Sequence, residues 1–507
     1  MILRSFFVIM KEERDDSYGH VLKYTGIFGG VQGLNILISI IRNKVTALLL
    51  GPSGMGLMAL FQTTVNFISQ ATNLGISFSA VRNVSELYDA GDEDRIAHFV
   101  KIVRVWSLLT GLVGMLLCML TGPLLSSLTF SWGDHSLHFI MLSPLVALLA
   151  VTGGEMAILK GARQLRSLAV IQVYNVLTAL LLSFPIYYYF GERGIIPVMV
   201  LMGVASMLFT ISCSYRLCPL HLNGAKGILG EGMGMVRLGV AFTVAGILGS
   251  GSDFLIRTYL NNVANLETVG FYNVAFVMTM TYAGIVFSAM ETDFFPRLSS
   301  VNQQPEKYNE LINRQIEVCL LLISPMVVFA VFVLPVFIPI LFTSQFLPIV
   351  DLMRLLALAL LFRAVTLPME YLSLAKGSSS SYLFLECAYD IMVTLLVIAG
   401  YHFYGLTGTG YALLFAGLLN TLMVISFMRW KFGVLLDGGV FLIFFIQLPL
   451  GILSCMAAMT CDGWLLCVLG VVLSALSLSV SLYVLRQKSH LWKNLAGRFT
   501  NLFSHGS

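Results

Sequence analysis

Charge is what this 507-residue sequence has least of. Asp, Glu, Lys and Arg make up only 11% of it, while hydrophobic residues make up 57%. An ordinary soluble domain carries roughly 25% charged residues. So little charge excludes a soluble enzyme, a disordered chain and a nucleic-acid binder, and the net charge of +4 is no basic footprint. The eight cysteines are scattered, mostly in apolar runs and without C-x-x-C spacing, which excludes a disulfide framework and a zinc ribbon. Long polar loops are missing as well, leaving no room for an extramembrane catalytic domain, so the chain is not expected to be an enzyme. No G-x-x-x-x-G-K-[ST] occurs; Gly51-Pro52-Ser53-Gly54-Met55-Gly56 lacks the lysine and falls at a turn, so ATP hydrolysis is not expected. His135-x-x-His138 lacks a zincin's glutamate and reads as a solvated loop. No metal and no cofactor are expected.

What the sequence has is apolar runs. A hydrocarbon core of ~30 Å needs about 20 apolar residues per helix, and that ruler gives fourteen spans, from one near 24–50 to one near 464–485. Met1 to Met10 is apolar but too short to span, and it leads into Lys11-Glu12-Glu13-Arg14 rather than a small-residue cleavage site, so no signal peptide is read. With the N-terminus in the cytoplasm, 24 of the 30 Lys and Arg fall in cytoplasmic segments and only Arg193 in an outer loop. That asymmetry fits the positive-inside rule and places both termini inside.

Four sequence matches recur in order. Leu159-Lys160-Gly161 returns as Ala375-Lys376-Gly377 at an offset of 216, and Phe190-Gly191-x-x-Gly194 returns as Tyr404-Gly405-x-x-Gly408 at 214. Met55-Gly56-Leu57 returns as Val269-Gly270-Phe271 at 214, and Arg82 as Arg297 at 215. Generic turn chemistry is the alternative explanation. A true repeat makes the fold an all-α polytopic membrane protein of two six-helix lobes, related by a parallel pseudo-twofold, plus two C-terminal helices. The expected division is 18–217 for the first lobe, 218–235 for a cytoplasmic linker and 236–430 for the second lobe. The extra pair occupies 431–486, and a basic amphipathic tail on anionic lipid occupies 487–507. Residues 300–316 read as a polar helix lying on the cytoplasmic face.

Polar side chains inside the spans mark the functional path. Gln32, Asn35, Ser39, Arg42 and Thr46 lie on one stripe of span 1, and Gln62, Asn66, Ser69, Gln70, Asn73 and Ser77 on one stripe of span 2. Such stripes line a wet cavity or bond neighbouring helices. Each charge within a span requires a partner or water. Arg42, Lys44, Arg257 and Arg363 are the buried cations; Asp253 can pair with Arg257 at i, i+4, and Glu370 shares a face with Arg363. Glu155, Glu291 and Asp293 lie nearer the cytoplasmic ends, and Arg354 is expected to snorkel outward. A cationic surplus suits an anionic substrate, above all a phosphate or pyrophosphate. Asp253 and Glu370 are candidates for H+ or Na+ exchange.

On these residues the sequence resembles the Wzx-type polysaccharide (O-antigen) flippases of the multidrug/oligosaccharidyl-lipid/polysaccharide exporter superfamily. The carriers are Lys44 through Gly56, Lys160-Gly161-Ala162-Arg163, Val269-Gly270, Pro296-Arg297-Leu298, and Ala375-Lys376 with Glu386, within roughly 18–430. The resemblance implies a multi-pass protein of the bacterial inner membrane. It would move an undecaprenyl-pyrophosphate-linked oligosaccharide from the cytoplasmic to the periplasmic leaflet by alternating access, beside membrane lipid and a glycan polymerase machinery. Lys44 and Arg257 look like the family's basic positions, whereas the polar stripe selects Arg42, about 200° round the helix from Lys44. Many such flippases have twelve spans; the extra pair resembles that of the peptidoglycan-precursor flippases. The alternatives are a cation-coupled multidrug exporter of the same superfamily and a membrane glycosyltransferase or ligase. The candidate substrate residues are therefore Arg42, Lys44, Arg257, Arg363, Gln62, Asn66 and Asn73.

Overall fold

The computed structural model describes residues 17–131, 133–219 and 228–488; the side chains of 17–32 and of most positions between 281 and 293 lie outside the description. The tail from 489 onward also lies outside it, as do the side chains of Gln32, Glu291 and Asp293. Every regular element among the described residues is helical. In chain order these are α1 (Ser17–Thr72), α2 (Ile76–Ala90), α3 (Glu93–Thr129), α4 (Ser136–Gly161), α5 (Leu165–Phe190), α6 (Ile195–Leu217) and α7 (Ile228–Val263). They continue as α8 (Leu266–Ser300), α9 (Pro305–Leu341), α10 (Val350–Ala375), α11 (Ser379–Phe432), α12 (Gly438–Thr460) and α13 (Gly463–Lys488).

Nine stretches of the described residues are long and apolar enough to cross a membrane. Three of these hold two membrane-length segments each, turning at Gly51, at Gly191–Gly194 and at Tyr404-Gly405. Gly51 takes φ 65°, a left-handed value that a side chain would strain. A straight α1 would hold Arg42 and Asn66 ~36 Å apart at 1.5 Å per residue, yet both line one cavity. With α7 and α8, 36 and 35 residues long, the described chain has fourteen membrane-length segments. The ends poor in Lys and Arg are called outer below.

The repeat is visible in the backbone. Gly191 (φ 54°, ψ −133°) and Gly405 (φ 60°, ψ −145°), 214 residues apart, make the same turn. The left-handed residues that end α4 and α10 are Arg163 and Gly377, again 214 apart. Their caps match atom for atom, Ala162 N–H donating to Ile158 O and Lys376 N–H to Leu372 O. The Lys160 and Lys376 match at 216 is therefore a two-residue slip: the left-handed turn, not the lysine, sets the equivalence.

Packing is asymmetric along the membrane normal. The outer halves of both lobes share one apolar core, which joins Leu60, Phe61 and Phe139 of the first lobe to Tyr272, Phe346 and Val397 of the second. The inner halves have separate cores, one around Leu320 and Leu361 and another around Ile76, Val103 and Trp106. Met235 of α7 belongs to the latter, so α7 bridges the lobes at the inner end. Residues 305–316 are not a separate surface helix but the first turns of α9, because no proline or glycine falls between Pro305 and Pro325 to break it there. α12 and α13 pack on α9 and are pinned together by buried Gln447, whose amide N–H donates to Ser477 O and Ser481 Oγ at 3.1 Å each.

Candidate functional site: a polar cavity between the lobes

A cavity of ≈ 560 Å³ opens among α1, α4, α5 and α6 of the first lobe and α7 and α8 of the second. Arg42, Thr46, Gln62 and Asn66 reach it from the two arms of α1, and Asp253, Arg257 and Asn273 from the opposite lobe. Arg42 and Arg257 lie one position off the 214-residue repeat, and each reaches the same space from the first helix of its lobe. Two guanidinium groups against one carboxylate leave the described lining cationic. Methionines 55, 58, 199 and 202 supply an apolar, deformable wall.

Arg257 is 3% exposed and firmly held. Its Nη1 lies 2.6 Å from Asp253 Oδ1, while Nε and Nη2 donate to Asn273 Oδ1 at 3.2 and 3.1 Å. The ring of Tyr272 lies 5.8 Å from its guanidinium carbon. Asp253 is half exposed toward the cavity and leaves its second oxygen for water or ligand. Gln62 Nε2 donates to Asn66 Oδ1 at 2.9 Å, and Asn175 Nδ2 donates to Ser206 Oγ at 3.1 Å. The buried Asn175 Oδ1 has no hydrogen-bond partner among the described residues. Amides and hydroxyls at such spacing can exchange hydrogen bonds with sugar hydroxyls, and arginines can grip phosphate oxygens bidentately.

The other expected site residues lie elsewhere. Lys44 does not line this cavity; its ammonium donates to the carbonyls of Pro339, at 2.7 Å, and Phe342 at the end of α9. Asn73 donates to Ser77 Oγ at 3.1 Å across the break between α1 and α2. Arg363 lines a separate cavity of ≈ 30 Å³ with Tyr389 and Asn420, enough for a water or two. Asn420 Nδ2 donates to Glu370 Oε1 at 3.5 Å. Glu386 of α11 interacts electrostatically with Glu370, and Asp390 with Glu386 and with Asp253 of the larger cavity, so this group is acidic on balance. The structure thus gathers Arg42, Arg257, Gln62, Asn66 and Asp253 in one site and Arg363 with Glu370 in another.

Two further charges resolve into structural pairs. Arg354 does not snorkel: it is 6% exposed and bonds Asp351 Oδ1 at 2.8 Å and Val331 O at 3.2 Å. Glu155 is bridged by Arg104 at 2.9 Å. On the first stripe, Arg42 and Thr46 face the cavity while Asn35 donates to Gln172 of α5 at 3.4 Å, so both readings of the stripe hold along its length. Sequence reasoning missed Asn43, Asn175, Ser206 and Asn273 of the lining, and Asp390 of the acidic group. Single polar residues in apolar helices, they carried a signal only as isolated amides or acids at membrane depth.

Two six-helix bundles face one another across a polar cavity, and solved structures share this two-lobed fold. Lipid II flippase MurJ in an inward closed conformation aligns with a TM-score of 0.68 at 15% identity, covering 91% of this chain and 99% of that one. An inward-facing multidrug resistance MATE family transporter of the MOP superfamily aligns at 0.66 and 15% identity, over 78% of this chain and 94% of that one. A MOP superfamily transporter from Pyrococcus furiosus aligns at 0.52 and 15%, over 86% and 94%. No curated protein matches by sequence. The chain belongs to the polysaccharide biosynthesis protein family, whose profile matches residues 45–351.

Proposed function

We propose that this chain is a flippase that carries an undecaprenyl-pyrophosphate-linked oligosaccharide, an O-antigen or similar surface-glycan unit, from the cytoplasmic to the periplasmic leaflet of the bacterial inner membrane. The observation that carries the reading is the pair Arg42 and Arg257, one from each lobe, in a single amide-rich cavity. The pyrophosphate binds at the arginines, the first sugars occupy the cavity among Gln62, Asn66 and Asn175, and the polyprenyl tail stays in lipid. Rocking of the lobes exposes the cavity to each side in turn. The family's description as polysaccharide biosynthesis proteins and the fold shared with a lipid II flippase support this over a drug substrate. H+ or Na+ exchange at Asp253 or Glu370 drives the cycle, supported by the acidic group around Glu370 in the second lobe.

The test is deletion followed by leaflet-resolved measurement of lipid-linked intermediates. Accumulation on the cytoplasmic leaflet is the expected result. Unchanged intermediates with altered drug tolerance would identify a multidrug exporter instead.

A further inference from the structure

Lys44, expected from sequence in the substrate site, does something else. It leaves the first helix of the first lobe near its outer end and donates to Pro339 O, at 2.7 Å, and to Phe342 O in the second lobe. These carbonyls close α9, where the last four have no N–H partner within the helix. A cation at a helix C-terminus also meets the negative end of its dipole. The opposite side of the molecule repeats the arrangement. Asn261 and Asn262, near the outer end of α7, the second lobe's first helix, donate to Thr129 O at 2.7 Å and Leu128 O at 2.6 Å. Those carbonyls are the last two residues of α3 in the first lobe. In each lobe, then, the first helix caps the third helix of the other.

We propose that these crossed caps, Lys44 on α9 and Asn261 with Asn262 on α3, are the two clasps of the outer gate. They hold the cavity shut on the periplasmic side and must both release for outward opening. The assignment rests on the two-lobe transport cycle described above. Lys44 is not among the cavity's lining residues, whereas each clasp spans the lobe boundary and ends on carbonyls at a helix C-terminus, which have no helix hydrogen bond among the described residues. When the lobes part, water replaces the carbonyls at Lys44 and at the two asparagines, so opening costs little more than the geometry it breaks.

The clasps are tested by labelling from outside, which needs no substrate. Ala205, on the cavity wall, is replaced by Ala205→Cys in the full chain with Cys461→Ser and Cys467→Ser, and cells are treated with a membrane-impermeant maleimide. Lys44→Met should raise the labelling rate at least about fivefold, Asn261→Ala should do the same, and the pair together should raise it further. Lys44→Arg, which keeps donors on the carbonyls, should label like the parent. Should Lys44→Met fail to accumulate in membranes, the exposed Asn262→Ala reads the opposite clasp and must show the same rise. Parental labelling in Lys44→Met together with lost glycan display would overturn the assignment and return Lys44 to substrate binding. Failure of the flippase reading itself would show as unaltered lipid-linked intermediates with the labelling pattern intact.

Discussion

Gly56 and Gly270 pack backbone against backbone across the lobe boundary. A Cβ built on Gly56 would overlap the carbonyl oxygen of Leu266 and stand 2.9 Å from Gly270 N; one built on Gly270 would overlap the carbonyl oxygen of Pro52 and stand 3.1 Å from Gly56 N. Both glycines and both carbonyl residues are 214 positions apart, so the contact is reciprocal and sits on the pseudo-twofold axis. Small residues permit such close approach between membrane helices.

This contact predicts that Gly56→Ala or Gly270→Ala forces the outer turn of α1 and the outer end of α8 apart. Overpacking of this kind typically costs 1–3 kcal/mol, enough to shift a two-state equilibrium by roughly 5- to 150-fold. Outside labelling of a cavity cysteine should rise in both variants, and by similar factors because the contact is symmetric. A rise in one alone would show that the axis does not pass between them.

At the inner end α7 lies against α2 and α3. Phe78 and Phe242 stack with ring centroids 3.6 Å apart, and His98 Nε2 meets Glu231 Oε2 at 2.6 Å. Phe242→Ala should therefore increase labelling of the same cavity cysteine from the cytoplasmic side in inverted vesicles, with no change from outside. Increased labelling from both sides would mean general loosening.

The Arg104–Glu155 pair predicts a stability effect rather than a transport effect. Both side chains are more than nine-tenths buried, and Arg104 also donates to Cys218 O at 3.0 Å and lies 4.0 Å over the Tyr215 ring, fastening α3 and α4 to the end of α6. Removing one partner of a buried pair costs about 3–5 kcal/mol. Glu155→Ala should lower the detergent melting temperature and membrane abundance sharply, and adding Arg104→Met should recover part of the loss. No recovery in the double variant would show that the pair is not coupled.

Gln447 predicts a milder change. Interhelical hydrogen bonds in membranes average ~0.6 kcal/mol with a maximum near 1.7, so Gln447→Leu should lower the melting temperature slightly while glycan display persists. Loss of display at normal abundance would give α12 and α13 a direct part in transport.

Much of the fold was legible because membranes impose simple rules. Apolar length marked the spans, and glycines 51, 191 and 405 marked turns that the structure makes with positive φ. Arg163 hid the true register, since a non-glycine residue holds the left-handed position that Gly377 holds in the second lobe. The cavity was partly legible for the same reason: Arg42, Gln62, Asn66, Asp253 and Arg257 are costly in lipid and therefore conspicuous. Lys44 was equally conspicuous, but the partners the structure gives it are backbone carbonyls 295 and 298 residues away, which no local spacing announces. Arg354 is satisfied by Asp351 one turn earlier, a pairing the spacing allowed but did not require.

The central claim is that Arg42 and Arg257 together bind the anionic head of a lipid-linked glycan and carry it across the bilayer. The direct measurement is leaflet exchange of undecaprenyl-pyrophosphate-linked oligosaccharide in vesicles holding the purified full chain, read by an impermeant probe of the sugar. The intact protein should expose the lipid on the opposite leaflet, while Arg42→Ala and Arg257→Ala should slow exchange at least about tenfold, the equivalent of 1.4 kcal/mol, at unchanged protein content. Equal exchange by the double variant, or none by the intact protein alongside export of a drug cation, would contradict it.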